Sequence, residues 1–143
     1  MSDMVVLIDT NIIIDFLTSR EPFTEYARAV MNLCSENKIQ GFFAAHTLPD
    51  IYFILRKDYA TKERRKMLLY VCEILSVAGF SKNQLISALD NENFDDFEDC
   101  LQSECALAVG AQYIVTRNTG DFSASPVPAV LPEALLTICT EAP

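Results

Sequence analysis

Four aspartates, Asp9, Asp50, Asp99 and Asp121, stand where carboxylates could meet and hold a divalent cation. Asp9 directly follows the apolar run at 4–8, and Asp50 lies one short turn beyond a second apolar run at 42–45. Asp99 falls in the first turn of a helical segment, and Asp121 follows the apolar run ending at Thr116, within Thr116-Arg-Asn-Thr-Gly-Asp121-Phe122. Two carboxylates ~4 Å apart repel by about 4 kcal/mol at an effective dielectric of 20. A fold gains nothing by gathering four of them unless cations neutralise the group. Mg2+ and Mn2+ prefer such all-oxygen sites. An ion held there can activate water and stabilise charge on a transferring phosphoryl group.

Each acid taken alone also has a purely structural use. Asp9, followed by Thr10 and Asn11, suits a helix cap. Asp50 suits a first-turn acid that complements the helix dipole. Asp95, Asp96, Glu98 and Asp99 resemble a capping box with dipole-complementing acids. Asp121 suits a turn with Thr119 and Gly120. The joint pattern is harder to reduce to local structure, because open parallel sheets gather functional groups beyond the carboxyl ends of their strands.

The elements that must position these residues alternate along the chain. Residues 4–8 read as a parallel strand buried on both faces, with a helical stretch from Ile12 to Leu17 after it. Pro22 breaks the chain, and a helix is expected from Thr24 to about Asn37, with Ala27, Val30, Met31 and Cys34 at helical spacing. Gly41 opens the second strand, Phe42 to Ala45. Pro49 is placed in the first turn of the next helix, with Thr47 or Leu48 outside it, and that helix runs to about Lys57. Thr61 starts another, with Met67, Leu68, Val71, Cys72 and Leu75 facing inward. A weak strand at 76–80 and a short helix capped by Ser81 come next. Asp95 or Asp96 begins a helix that Gly110 ends near Val109. Tyr113–Thr116 is a fourth strand and Ala129–Leu131 a fifth, before a terminal helix from Pro132. The reading is an α/β fold: a three-layer α/β/α sandwich with a mainly parallel central sheet of four to five strands. At 143 residues the chain is read as one domain.

Composition narrows the class. No run of ~18 uncharged apolar residues occurs, so no membrane span is expected. Asp3, Asp9 and Asp15 interrupt the apolar start, which argues against a signal peptide and for a cytoplasmic protein. Five cysteines, Cys34, Cys72, Cys100, Cys105 and Cys139, include no C-x-x-C pair and read as buried free thiols. With His46 the only histidine, a zinc site is disfavoured. The net charge of −9 arises entirely after residue 82, where Arg117 is the only basic residue. Six of the eleven basic residues fall between Arg56 and Lys66. A nucleic-acid role therefore needs a local basic patch and bound cations.

Three segments then carry a resemblance. Val-Val-Leu-Ile-Asp-Thr-Asn near the start, Asp-Phe-Glu-Asp-Cys-Leu-Gln at 96–102 and Val-Thr-Arg-Asn-x-x-Asp-Phe at 115–122 resemble PIN-domain nucleases, of the VapC-like toxin type, in order and spacing. The resemblance covers nearly the whole chain, and the last motif is its most specific part. It implies a metal-dependent endoribonuclease that hydrolyses phosphodiester bonds of single-stranded RNA with Mg2+ or Mn2+, leaving a 5′-phosphate and a 3′-hydroxyl. Asp9, Asp99 and Asp121 match the family's metal-binding acids, and Thr116 and Asn118 match its supporting polar residues, with Asn11 beside Asp9. Asp50 stands where the family usually carries glutamate, one methylene longer. Asp96 competes with Asp99 as the third acid; Cys100-Leu101, a small residue and then an apolar one, favours Asp99. Many bacterial relatives are toxins paired with an antitoxin protein, and many form homodimers.

Arg56, Lys57 and Arg117 are the expected RNA contacts, with Arg117 beside the site motif the best placed for phosphate. The basic stretch can also be read as a solvated helix face paired with Asp58 and Glu63. Tyr52 and Phe53 could stack on bases or serve as core or interface residues. A haloacid-dehalogenase-like phosphatase would need Asp-x-Asp where this chain has Asp9-Thr10-Asn11, and a receiver domain would need a lysine beyond Lys82. A non-catalytic PIN-fold binding module and a housekeeping RNA-processing nuclease remain as alternatives.

Overall fold

The computed structural model describes residues 4–141; Asp3 lies outside them. The strands are β1 (Val5–Ile8), β2 (Gln40–Ala44), β3 (Ser76–Ala78), β4 (Tyr113–Val115) and β5 (Ala129–Val130). The helices are α1 (Thr10–Thr18), α2 (Thr24–Ser35), α3 (Thr47–Ile54), α4 (Thr61–Ile74), α5 (Lys82–Asp90), α6 (Phe97–Ala108) and α7 (Pro132–Glu141). All four strand pairings are parallel, in the order β3-β2-β1-β4-β5. The central position of β1 explains its unbroken apolar run, because both of its edges pair and both of its faces are covered.

Alternation along β1 divides the core into two layers. Val6 and Ile8 pack with Phe43 and Val115 against α1, α2, α3, α4 and α7 through Ile13, Met31, Ile51, Val71 and Leu135. Leu7 points the other way, with Ala44, Ala78 and Ile114, onto Cys105 and Ala106 of α6. Cys100 and Leu101 of α6 then bury Ala88 of α5. This is the expected three-layer sandwich. Gly41 is required by close approach: a Cβ there would sit 2.6 Å from both Cys34 Sγ and Leu75 Cδ2.

Four local expectations need correction. Thr47 and Leu48 lie inside α3, so Pro49 is its third residue. Proline is tolerated there because the first N–H groups of a helix have no intrahelical partner. The α helix also stops at Ile54, and Leu55–Lys57 tighten into a 3₁₀ turn. Cys72 is exposed, whereas Cys34, Cys100 and Cys105 are buried. On α4 only Val71 is fully buried, with Met67 and Leu68 half-buried; the apolar stripe is narrower than the residue types suggest.

The helix ends follow the side chains available. Asp9 caps α1, its carboxylate accepting from Thr10 N. Asp96 caps α6 by accepting from Asp99 N, and Gly110, at a φ of 70°, follows that helix in the left-handed region. Among the described residues no helix is long and apolar enough to cross a membrane.

Candidate functional site

The carboxyl ends of β1, β2 and β4 lie side by side because these strands are neighbours in the sheet. The segments that leave them therefore meet at one edge. Asp9 follows β1, Asp50 sits in α3 just beyond β2, and Asp121 lies in a short 3₁₀ turn, Thr119–Phe122, after β4. Helix α6, packed across the sheet, brings Asp99 to the same edge from its first turn. A pocket of about 410 Å3 is lined by Asp9, Asn11, His46, Asp50, Glu98, Asp99, Gln102 and Asn118, with Phe53 and Ile54 of α3. Asp121 is exposed beside this lining, near enough for its charge to act on Asp9 and Asp99.

Asp9 is the most constrained of the acids, at 7% exposure. Its Oδ1 accepts from Thr10 N at 2.8 Å. Its Oδ2 accepts from Thr116 Oγ1 at 2.8 Å and Asn11 Nδ2 at 3.4 Å. Thr116 Oγ1 in turn accepts from Asn118 N at 3.0 Å and from Asn11 Nδ2 at 3.3 Å. Thus Asn11, Thr116 and Asn118 form one network around Asp9. Asp96 is exposed and uses Oδ1 to accept from Asp99 N at 3.0 Å, whereas Asp99 itself lines the pocket. That geometry separates the two competing acids: Asp96 caps the helix and Asp99 faces the site.

Electrostatics mark the pocket as short of positive charge. Burial raises the Asp9 carboxyl above its ordinary value; Asp121 adds to the rise, while the bonds from Thr116 and Thr10 oppose it. Burial pushes Asp99 up to about 7, with further repulsion from Asp96, Asp9, Asp121 and Glu98. Glu98 is also raised, by partial burial and then by Asp50 and Asp96. His46 cannot supply the missing charge at neutral pH, because burial holds its pKa below 6.5 against the pull of Asp50.

Arg117 supplies only a small part of it, lowering Asp9 least among the groups around that acid, and its guanidinium is engaged with Asp15. Its Nε donates to Asp15 Oδ2 at 2.6 Å and its Nη2 to Asp15 Oδ1 at 3.3 Å. The guanidinium also lies 3.9 Å from the Phe23 ring centroid. Asp15 is wholly buried, so the ion pair is what permits its charge in the interior. Arg117 thus ties α1 to the segment after β4. By contrast Arg56 and Lys57 are exposed beside the pocket's α3 wall, and neither makes an ion pair with Asp58 or Glu63 among the described residues.

The residues fit a hard divalent cation by donor chemistry, since they offer carboxylate and amide oxygen with too little positive charge around them. A second observation agrees. Gln102 is 3% exposed, its Nε2 donates to Thr47 Oγ1 at 3.0 Å and Thr10 Oγ1 at 3.3 Å, and its Oε1 has no partner. Among the described residues, no three His, Cys, Asp or Glu side chains already stand close enough together to hold an ion.

The sequence carries no signal for Thr47 or His46 as site residues, whereas Thr10 and Gln102 fall inside the motifs at 5–11 and 96–102 without a role of their own. Glu98 reads in the sequence as a helix acid, and the structure sets it near Asp50.

Residues 5–120 match the PIN domain family. This chain belongs to that family. The PIN domain here is 24% identical over 127 residues to ribonuclease VapC1 of Aquifex aeolicus (strain VF5), covering 86% of this chain and 88% of that protein. Its fold is like that of VapBC2 from Rickettsia felis bound to a promoter DNA fragment, with a TM-score of 0.67 and 18% identity over 90% of this chain and 98% of that one. It is also like VapC20 of Mycobacterium tuberculosis, a sarcin-ricin loop cleaving toxin, with a TM-score of 0.64 and 13% identity over 85% and 95% of the two chains.

Proposed function

We propose that this PIN domain is an endoribonuclease that hydrolyses phosphodiester bonds of single-stranded RNA with Mg2+ or Mn2+. The observation that carries the reading is the meeting of Asp9, Asp50 and Asp99, from three separate segments, in one pocket with Asp121 beside it. Asp9, Asp99 and Asp121 would hold the cation, with Asp50 as the fourth acid. The cation supplies activation of water and offsets charge on the phosphoryl group. The chain's own groups prepare for it. Thr116, Thr10 N and Asn11 fix both oxygens of Asp9, so its rotamer is set before any substrate arrives. Asp99, its carboxyl pushed up to about 7, keeps a proton below neutrality and releases it when positive charge replaces it.

The VapC relatives support a role as the toxin of a toxin–antitoxin pair under control of an antitoxin protein, and the proposal adds a homodimer acting in the cytoplasm. The test is direct. Asp9→Asn, purified beside the wild type, should show no cleavage of a labelled single-stranded RNA, and EDTA should suppress the wild type. Undiminished cleavage by that variant would reject the site. A folded wild type that binds RNA but never cuts it with either metal would favour a non-catalytic binding module.

A further inference from the structure

Helix α3 carries two adjacent aromatic residues, each covered by an arginine, and the two pairs are differently placed. Arg64 of α4 lies 4.2 Å from the Tyr52 ring centroid and donates from Nη1 to Tyr52 O at 2.8 Å. Both side chains are half-buried, so this pair joins α3 to α4. Arg56 lies 3.6 Å from the Phe53 ring centroid and donates from Nη1 to Phe53 O at 2.8 Å. This second pair joins no elements. Phe53 is 60% exposed, and it lines the pocket that holds Asp9, Asp50 and Asp99.

We propose that Phe53, backed by Arg56, is a stacking platform for one base of a single-stranded nucleic acid whose adjoining phosphate enters the acidic pocket. The inference rests on the nuclease reading for its substrate class, but the platform can be tested apart from cleavage. Three features favour a nucleotide over an apolar protein segment. The guanidinium covers one side of the ring, and base, ring and guanidinium stack in series on single-strand-binding surfaces. The carbonyl bond holds Arg56 in place before any ligand arrives, so little ordering is needed on binding. Arg56, held against a ring that lines the pocket, sets positive charge at the rim of a site rich in carboxylates, and the exposed Lys57 follows it in the chain. A polyanion needs that arrangement to approach an acidic protein, whereas an apolar segment gains nothing from it.

The chain contains no tryptophan, so Phe53→Trp introduces a single site-specific fluorophore. In the full chain carrying Asp9→Asn to prevent cleavage, a single-stranded RNA oligonucleotide should quench the emission of that introduced indole. A duplex of equal length, or an oligonucleotide abasic along its length, should not. Phe53→Leu should weaken oligonucleotide binding by about 5- to 150-fold, the range for loss of one base–aromatic stack, while Phe53→Tyr retains it. Equal quenching by abasic and normal strands would overturn the proposal, as would unchanged affinity in Phe53→Leu. A shift of Phe53→Leu from dimer to monomer in sedimentation, with oligonucleotide affinity unaltered, would assign the face to a protein interface and also overturn it. Quenching with no cleavage by the wild type under any metal would uphold the platform and reject the nuclease reading. Wild-type cleavage that Phe53→Leu leaves untouched would do the reverse.

Discussion

Asp99→Asn should stabilise the metal-free protein while weakening its response to divalent cation. Asp99 is pushed from 3.8 to about 7, first by burial and then by Asp96, Asp9, Asp121 and Glu98. The folded state therefore binds a proton more tightly than the unfolded chain. Its stability falls as pH rises from 3.8 towards 7 and levels off above that. Full conversion of this rise would correspond to about 4 kcal/mol. The side chain is half-exposed, and solvent screening leaves about 1–2 kcal/mol at about pH 8. Asparagine removes the charge without losing a bond, since the hydrogen bond beyond the helix that Asp99 makes runs from its backbone N to Asp96. For a chain of this length the melting temperature in EDTA should rise by about 3–6 °C. Saturating Mn2+, at about 100 times its dissociation constant, should add about 2.7 kcal/mol to the wild type and much less to the variant. Thermal melts by circular dichroism at about pH 8, with EDTA and with Mn2+, read both effects. A variant that melts at or below the wild type in EDTA, or gains as much from Mn2+, would refute the account of the pocket as a repulsive, cation-seeking cluster. The advantage should also shrink as pH falls from about 7 towards 3.8.

Other consequences arise from the same geometry. Thr116→Val deletes the 2.8 Å bond to Asp9 at a wholly buried position of nearly unchanged shape. It should lower Mn2+ affinity by about 10- to 100-fold in calorimetry, with the fold intact by circular dichroism. Arg117→Met strands the buried Asp15 charge and should cost about 3 kcal/mol in urea unfolding. Adding Asp15→Leu should recover most of that loss; no recovery would mean that the guanidinium acts mainly through Phe23. Cleavage at limiting Mn2+ should rise with pH through the Asp99 range near 7, because only the ionised carboxyl takes up the cation. A rate profile flat from about pH 6 to about pH 8 would count against Asp99 as a ligand.

The elements and their order were legible along the chain, apart from the ends of α3. The unbroken apolar run before Asp9, the capping acids at Asp96 and the glycine at 110 are local signals, each set by neighbours within a few residues. They read correctly because backbone hydrogen bonding and burial on both faces leave little choice at those positions. The strand order β3-β2-β1-β4-β5 is not local, and it brings Asp9, Asp50 and Asp99 to one pocket with Asp121 beside it. Spacing alone left Asp96 and Asp99 as rivals. Tertiary packing sets Asp99 among the residues that line the pocket, while Asp96 accepts from Asp99 N at the helix end. For Arg117, adjacency to the site motif points to phosphate, and only packing reveals that α1 places buried Asp15 against it. A buried carboxylate must find a cation, and which cation it finds depends on packing between segments far apart in the chain. Gln102 and Thr47 are bonded across 55 positions, a contact that no periodicity could reveal.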